Sequence, residues 1–367
     1  MTTKKRVVVK VGSSSLASVH GGCDLEKLTL LVNALSQLKA EGHEVVLVSS
    51  GAVASGYSKL GYRQRPRTLV AKQAAAAIGQ SILMQQYTSL FSQKGYTIAQ
   101  ILLTRGDFSD RERYKHAFET LSLLLSRGII PIINENDTVS VAELTFGDND
   151  MLGALVAGLI HADLYTILTD TDGFYDKDPR THLDAKRIPF LDDITPEVEA
   201  ACGKAGSLGT GGMYSKVLAG RTALQVGIPT FIGRASHADS LKQILNGDGE
   251  GTYIGWNTTG ADKSSVSTRK QWIALHSPVS GQIWVDDGAA HALLQQQKSL
   301  LFAGVKNVQG TFQRGEVVEV LANDQIIGRG IIRFDSTELQ VAVSSHKRMT
   351  LQGEVIHRDQ WIAVENR

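Results

Sequence analysis

Through the first two-thirds of the chain, short runs that are apolar at almost every position alternate with longer stretches of helical period. The apolar runs are "RVVVKVG" from Arg6, "EVVLVSSG" from Glu44, "TIAQILLT" from Thr97, "GIIPIIN" from Gly128 and "LYTILTD" from Leu164. Helices are expected between them, near 25–41 and 68–92. A strand that is apolar throughout has no face for solvent, so it belongs in a parallel sheet covered on both sides by helices. The expected fold class is therefore α/β, with an open, mostly parallel sheet sandwiched by helices. The alanine-rich run "AKQAAAAIG" at 71–79 reads as a closely packed helix rather than low complexity.

Near 257–270 the rhythm breaks into "NTTGADKSSVSTRK", polar, rich in small residues and without helical period. Beyond it, "GQIWVDDGAAHALL", "TFQRGEVVEVLA" and "IIGRGIIRF" read as short strands with glycine turns and one helix around 287–296. The expected division is a large domain over 1–258, a linker over 259–272 and a small, mainly β domain over 273–367.

A chain of 367 residues, 42% hydrophobic, buries a large core, and 38 Lys/Arg against 37 Asp/Glu give no global attraction to nucleic acid or an anionic membrane. A polyanion has to be met locally. The start, "MTTKKRVVVKVGSSSL", has the charged head of a signal peptide, but Lys10 interrupts the apolar run too early for a secretory core. No stretch is long enough to span a bilayer. Cys23 and Cys202 lie far apart without metal-type spacing and read as reduced thiols, so the protein is expected in the cytoplasm.

In a doubly wound sheet ligands bind beyond the carboxyl ends of the strands. Small and polar residues collect there: "KVGSSS", "SSGAVASG", "NENDTVS" and "TDTDG" each follow an apolar run. "SLGTGGMYSK" at 207–216 sets three glycines ahead of Lys216 and a helical pattern, the composition of a loop whose backbone N–H groups meet phosphate. It is not the G-x-x-x-x-G-K-[ST] pattern of a P-loop. Lys10 suits an edge strand when taken alone, yet two ammonium groups aimed at one point would stabilise a transferring phosphoryl group. The aspartates of "FGDND" and "LTDTDG" admit a divalent metal site, helix caps and turns, or a phosphoryl-transfer site. None of the ten histidines forms an H-x-x-x-H or H-E-x-x-H array, so no metal ligand is assigned. "HRDQ" at 357–360 copies part of a kinase catalytic loop without its companion motifs and reads as chance.

Taken in order, "VVKVGSSSL", "VLVSSGAVASG", "PIINENDTVS", "FGDND", "LTDTDGFYDKDPR" and "LGTGGMYSK" resemble the amino acid kinase family. "SSGAVASG", "NENDTV" and "GDND" together point within it to the branch that phosphorylates a glutamate side chain. The tail, through "FQRGEVVEVLANDQIIGRGII", resembles a PUA domain. The resemblance implies the amino acid kinase fold and ATP-dependent phosphorylation of the γ-carboxylate of L-glutamate, the first step towards proline. It implies that Lys10, Lys216 and Asp150 are catalytic and that Ser50, Asp137 and Asn149 hold glutamate. ATP would be bound by Lys10, Thr169, Asp170, Thr210, Gly211, Gly212, Met213, Tyr214, Ser215 and Lys216. Mg²⁺ would arrive on the nucleotide phosphates, proline would inhibit by feedback, and the protein would be a homo-oligomer. The alternatives are another member of the family, which should show basic residues if a second phosphate had to be met, and an RNA-binding protein led by its tail. Nine Lys/Arg against ten Asp/Glu over 271–367 speak against the latter.

Overall fold

The computed structural model describes residues 3–16, 18, 22–140, 149–179, 181–202, 212–257, 273, 277, 279–344 and 353–363, without the side chains of Ala200, Ala201 and Ser344. It divides into two compact units, Met1–Arg105 with Lys115–Ser265, and Gly106–Tyr114 with Val266–Arg367. The expected linker, 259–272, lies outside the described residues.

The strands of the first unit are β1 (Arg6–Val11), β2 (Glu44–Ser49), β3 (Ile98–Leu103), β4 (Ile130–Glu135), β5 (Leu164–Leu168), β6 (Phe174–Tyr175), β7 (Arg187–Ile188), β8 (Phe190–Leu191), β9 (Thr230–Gly233) and β10 (Gly251–Ile254). Among the described residues, eight of them form one sheet in the order β3-β4-β2-β1-β5-β9-β10-β8. Every pair from β3 to β9 is parallel, β10 runs antiparallel to β9, and β8 is parallel to β10. β6 and β7 form a separate antiparallel pair. The central strands are buried on both faces, as their unbroken apolar runs required.

Alternate residues divide between those faces. Val7, Val9, Val11, Leu47, Ile132 and Leu164 join one apolar cluster with Leu28, Leu35, Leu83, Tyr87 and Phe91. The last five come from two helices, Leu25–Ala40 and Leu69–Ser92, close to the expected bounds. The first helix begins where Asp24 accepts hydrogen bonds from the Glu26 and Lys27 N–H groups at 3.0 and 3.3 Å, and it presents Leu28, Leu31, Leu35 and Leu38 inward. Val8, Lys10, Tyr165 and Ile167 alternate with the cluster residues and share the opposite face. Helix Asn149–Leu159 packs against β1 and β5, and helix Met213–Leu224 packs against it.

The alanine-rich stretch packs closely, as expected. Short helix Ala52–Gly56 lies on Leu69–Ser92 at backbone contact. A Cβ on Gly79 would fall 1.7 Å from the Ala52 carbonyl oxygen, and one on Gly56 would fall 1.9 Å from that of Ala75. The crossing requires both glycines.

The second unit carries β11 (Val279–Val285), β12 (Leu300–Leu301), β13 (Val305–Gly310), β14 (Val317–Ala322), β15 (Gln325–Ile332) and β16 (Glu354–Ala363), in the order β12-β16-β15-β14-β11-β13. All pairs are antiparallel except β11 with β14. Helix Asp287–Leu294 falls where the sequence placed one, while helix Ser336–Ser344 and strands β13 and β16 were not foreseen. Asn323 and Asp324, both at positive φ, turn β14 into β15 through a two-residue loop. The "HRDQ" tetrapeptide lies inside β16, between Ile356 and Trp361, where the pairing with β15 shifts register. Both cysteines are free, and among the described residues no helix is long and apolar enough to cross a membrane.

Candidate active site

β1 has β2 on one side and β5 on the other, so Lys10, beside Val48 and Ile167, projects from the middle of the sheet rather than from an edge. It is only 5% exposed. An ammonium group in that position needs a counter-charge. Asp150, in the first turn of helix Asn149–Leu159 and 0% exposed, supplies it. Its Oδ1 pairs with Lys10 Nζ, and its Oδ2 lies 2.9 Å from Nζ of Lys216, itself 7% exposed. Lys216 comes from the first turn of helix Met213–Leu224. Three remote segments thus meet at one carboxylate. Ser215 adds its hydroxyl, 3.1 Å from Asp150 Oδ2 and 2.9 Å from the Gly212 carbonyl.

Burial works to raise the Asp150 carboxyl, but the charges and hydrogen bonds of Lys10 and Lys216 overcome it and hold the group well below the usual carboxylate range. Asp150 is therefore ionised throughout the neutral range. Two ammonium groups against one carboxylate leave the cluster with one net positive charge.

A second cluster sits next to it, because Asn149 precedes Asp150. The Asn149 amide nitrogen lies 2.9 Å from the Ser49 carbonyl, 2.8 Å from Ser50 Oγ and 3.0 Å from Asn134 Oδ1. Asn134, at the carboxyl end of β4, donates in turn to Gln80 Oε1 at 2.9 Å, and the Ser49 hydroxyl is 2.9 Å from that of Tyr87. Gln80 and Tyr87 lie on helix Leu69–Ser92. That helix thereby fixes the ends of both β2 and β4. Ser50 accepts from Asn149 and donates to no described residue, which leaves its proton for another acceptor. Half-buried Asp137 stands just past β4 in a turn closed by hydrogen bonds from the Val139 and Ser140 N–H groups to the Asn136 carbonyl.

The "TDTDG" motif, residues 169–173, follows the carboxyl end of β5. The Thr169 hydroxyl lies 3.1 Å from Asp170 Oδ1, its N–H donates to the Gly233 carbonyl at 3.0 Å, and Arg234 Nε donates to the Asp170 carbonyl at 2.6 Å. Gly212 caps the helix that carries Met213, exposed Tyr214, Ser215 and Lys216. Gly147, Asp148, Thr210 and Gly211 fall outside the described residues.

Residues 5–234 match the model of the amino acid kinase family, and residues 281–348 match the PUA domain. The chain belongs to the amino acid kinase family. Glutamate 5-kinase of Bacillus cereus (strain G9842) is 53% identical over 98% of this chain and 100% of its own length. Glutamate 5-kinase 1 of Bacillus subtilis (strain 168) is 52% identical over 99% of this chain and all of its own. Among solved structures, carbamate kinase from Giardia lamblia bound to AMP-PNP aligns with 69% of this chain and 99% of its own at 14% identity and a TM-score of 0.49, a likeness that bears on no individual residue.

Within this family member, the sequence pointed to both clusters but missed their supports. Asn134 stands inside "NEND" at the end of a buried strand, which was signal enough to find it. Gln80 and Tyr87 carried less. They share a helix face with Ala76 and Leu83, where a polar group looks like a helical filler until its partner is known.

Proposed function

We propose that this chain is a glutamate 5-kinase, transferring the terminal phosphoryl group of ATP to the γ-carboxylate of L-glutamate. The observation that carries the reading is the buried junction of Lys10, Asp150 and Lys216, with one net positive charge, beside the Asn149 and Ser50 cluster. The full-length likeness to two glutamate 5-kinases supports the choice of substrate.

A γ-carboxylate has an unperturbed pKa of about 4.3, so at neutral pH it is already a nucleophile and needs no general base. The task is to bring two anions together. Lys10 and Lys216 do this by placing ammonium groups where charge spreads over the phosphoryl oxygens as the carboxylate oxygen bonds to phosphorus and the bond to ADP breaks. Asp150 holds both lysines in place beforehand, so no reorganisation is needed at the moment of transfer. The Ser50 hydroxyl, oriented by Asn149, gives its spare proton to a glutamate carboxylate, and Asp137 takes the α-ammonium. Thr169, Asp170 and the segment from Thr210 to Lys216 line the nucleotide. MgATP is the substrate form. Asp150 pairs with the two lysines and Ser215, and Mg²⁺ would arrive on the ATP phosphates and offset their charge. The chemistry resides in residues 1–258, proline inhibits by feedback, and the tail serves regulation or assembly.

The test is a panel of glutamate, aspartate and N-acetylglutamate with MgATP, trapping acyl phosphate with hydroxylamine. Hydroxamate from glutamate alone is expected. Equal or greater yield from either other acid would overturn the choice of substrate.

A further inference from the structure

Asp150 carries the arrangement of the two lysines, so what fixes Asp150 matters as much as what it touches. Its carboxylate is held from above by the lysines. Its backbone is held from below by Tyr165. The Tyr165 hydroxyl donates to the Asp150 carbonyl at 2.6 Å, and the residue is 0% exposed. Tyr165 stands on β5 opposite Val8 of β1, and the next residue on the same face of β1 is Lys10. One sheet face therefore presents Lys10 and the tyrosine two residues apart, and the helix bearing Asp150 crosses above both.

The contact is closely built. A Cβ on Gly153 would fall 2.4 Å from the Tyr165 hydroxyl oxygen and 2.7 Å from its ring carbons. The ring thus lies in a notch that only glycine leaves on the helix, with its hydroxyl directed at the residue before the next turn begins. Apolar packing alone allows a helix small slides along a sheet. A short hydrogen bond to one chosen carbonyl sets its depth and register.

We propose that Tyr165 is a positioning residue for phosphoryl transfer, its hydroxyl and the Gly153 notch fixing where Asp150 meets Lys10 and Lys216. It touches neither substrate and acts through Asp150. This rests on the kinase reading above. Displacing a preorganised charge by a fraction of an ångström weakens transition-state contacts far more than ground-state binding.

The test compares Tyr165→Phe, Gly153→Ala and Thr166→Val in the full-length protein. Thr166 is the neighbouring residue on β5, equally buried on the opposite face, with a hydroxyl that has no hydrogen-bond partner among the described residues. Tyr165→Phe is expected to lower kcat about tenfold while the KM for glutamate and for ATP stays within about twofold. Gly153→Ala should lower kcat at least as much, by pushing the ring out of its notch. Thr166→Val should keep full kcat. Wild-type kcat in Tyr165→Phe, a loss shared equally by Thr166→Val, or a rise in KM at unchanged kcat would each overturn the proposal. Turnover is measured with whichever acid the unmodified chain phosphorylates. An acid other than glutamate would correct the substrate and leave the comparison of variants intact.

Discussion

Replacing Asp150 with asparagine removes one charge, keeps the shape of the side chain and leaves two ammonium groups facing each other in a buried pocket. Removing one partner of a buried ion pair costs roughly 3–5 kcal/mol. Two unit charges some 4 Å apart repel by about 4 kcal/mol at an effective dielectric of 20, a figure of the same size. With Asp150 at 0% exposure and the lysines at 5% and 7%, water gives little relief. The unliganded variant should therefore unfold on the order of 10 °C below wild type. Turnover should fall about 10²–10³-fold, the size of effect seen when a preorganised donor is misplaced. The same change makes the pocket a better home for an anion. ATP should consequently raise the unfolding midpoint of Asp150→Asn by more than it raises that of wild type, because ligand that binds only the folded state adds stability by mass action. Thermal unfolding with and without ATP, alongside steady-state turnover, reads all three effects. A folded variant with wild-type turnover, or one whose midpoint and ATP shift match wild type, would refute the assignment of Asp150.

Asp137→Asn should raise the KM for glutamate about tenfold or more and leave that for ATP almost unchanged, as substrate titrations would show; equal rises in both would remove Asp137 from the amino-acid subsite. Gly79→Ala should destabilise by about 1–3 kcal/mol in urea unfolding, because its Cβ meets the Ala52 carbonyl oxygen at 1.7 Å, and should weaken glutamate more than ATP because only Gly51 separates helix Ala52–Gly56 from Ser50. His43 and His161 are both held below the usual histidine value, chiefly by burial. The unfolded chain therefore binds protons that the folded chain refuses, and stability should rise with pH through the window just below the unfolded histidine pKa of about 6.5. The urea midpoint should increase from pH 5.5 to 7.5, and a His43→Gln, His161→Asn double variant should flatten that rise; an unaltered slope would contradict it. The depressed Asp150 carboxyl acts in a separate, more acid window, its stabilisation present above about pH 4 and lost as pH falls through its folded value.

The central strands were legible because burial on both faces leaves no choice of residue along them, and helix Leu25–Ala40 was legible from its helical period. Lys10 was legible for the opposite reason, as one charge in a run that tolerates none. Its place at the centre of the sheet was not, since strand order follows from contacts across many tens of residues. Gln80 and Tyr165 were hidden because their roles depend on partners on other elements, 54 and 15 residues away. In the tail, β16 pairs with β15 and β12, and nothing in its local pattern separates a strand from the loop motif it mimics.

In the proposed mechanism the glutamate carboxylate itself attacks the phosphoryl group. Glutamate labelled with ¹⁸O in the γ-carboxylate, turned over with MgATP and trapped with hydroxylamine, tests this directly. Hydroxylamine attacks the acyl carbon, so the bridging oxygen leaves with phosphate. Phosphorus NMR should show inorganic phosphate bearing one ¹⁸O for each hydroxamate formed. Unlabelled phosphate would mean that water, not the carboxylate, had received the phosphoryl group.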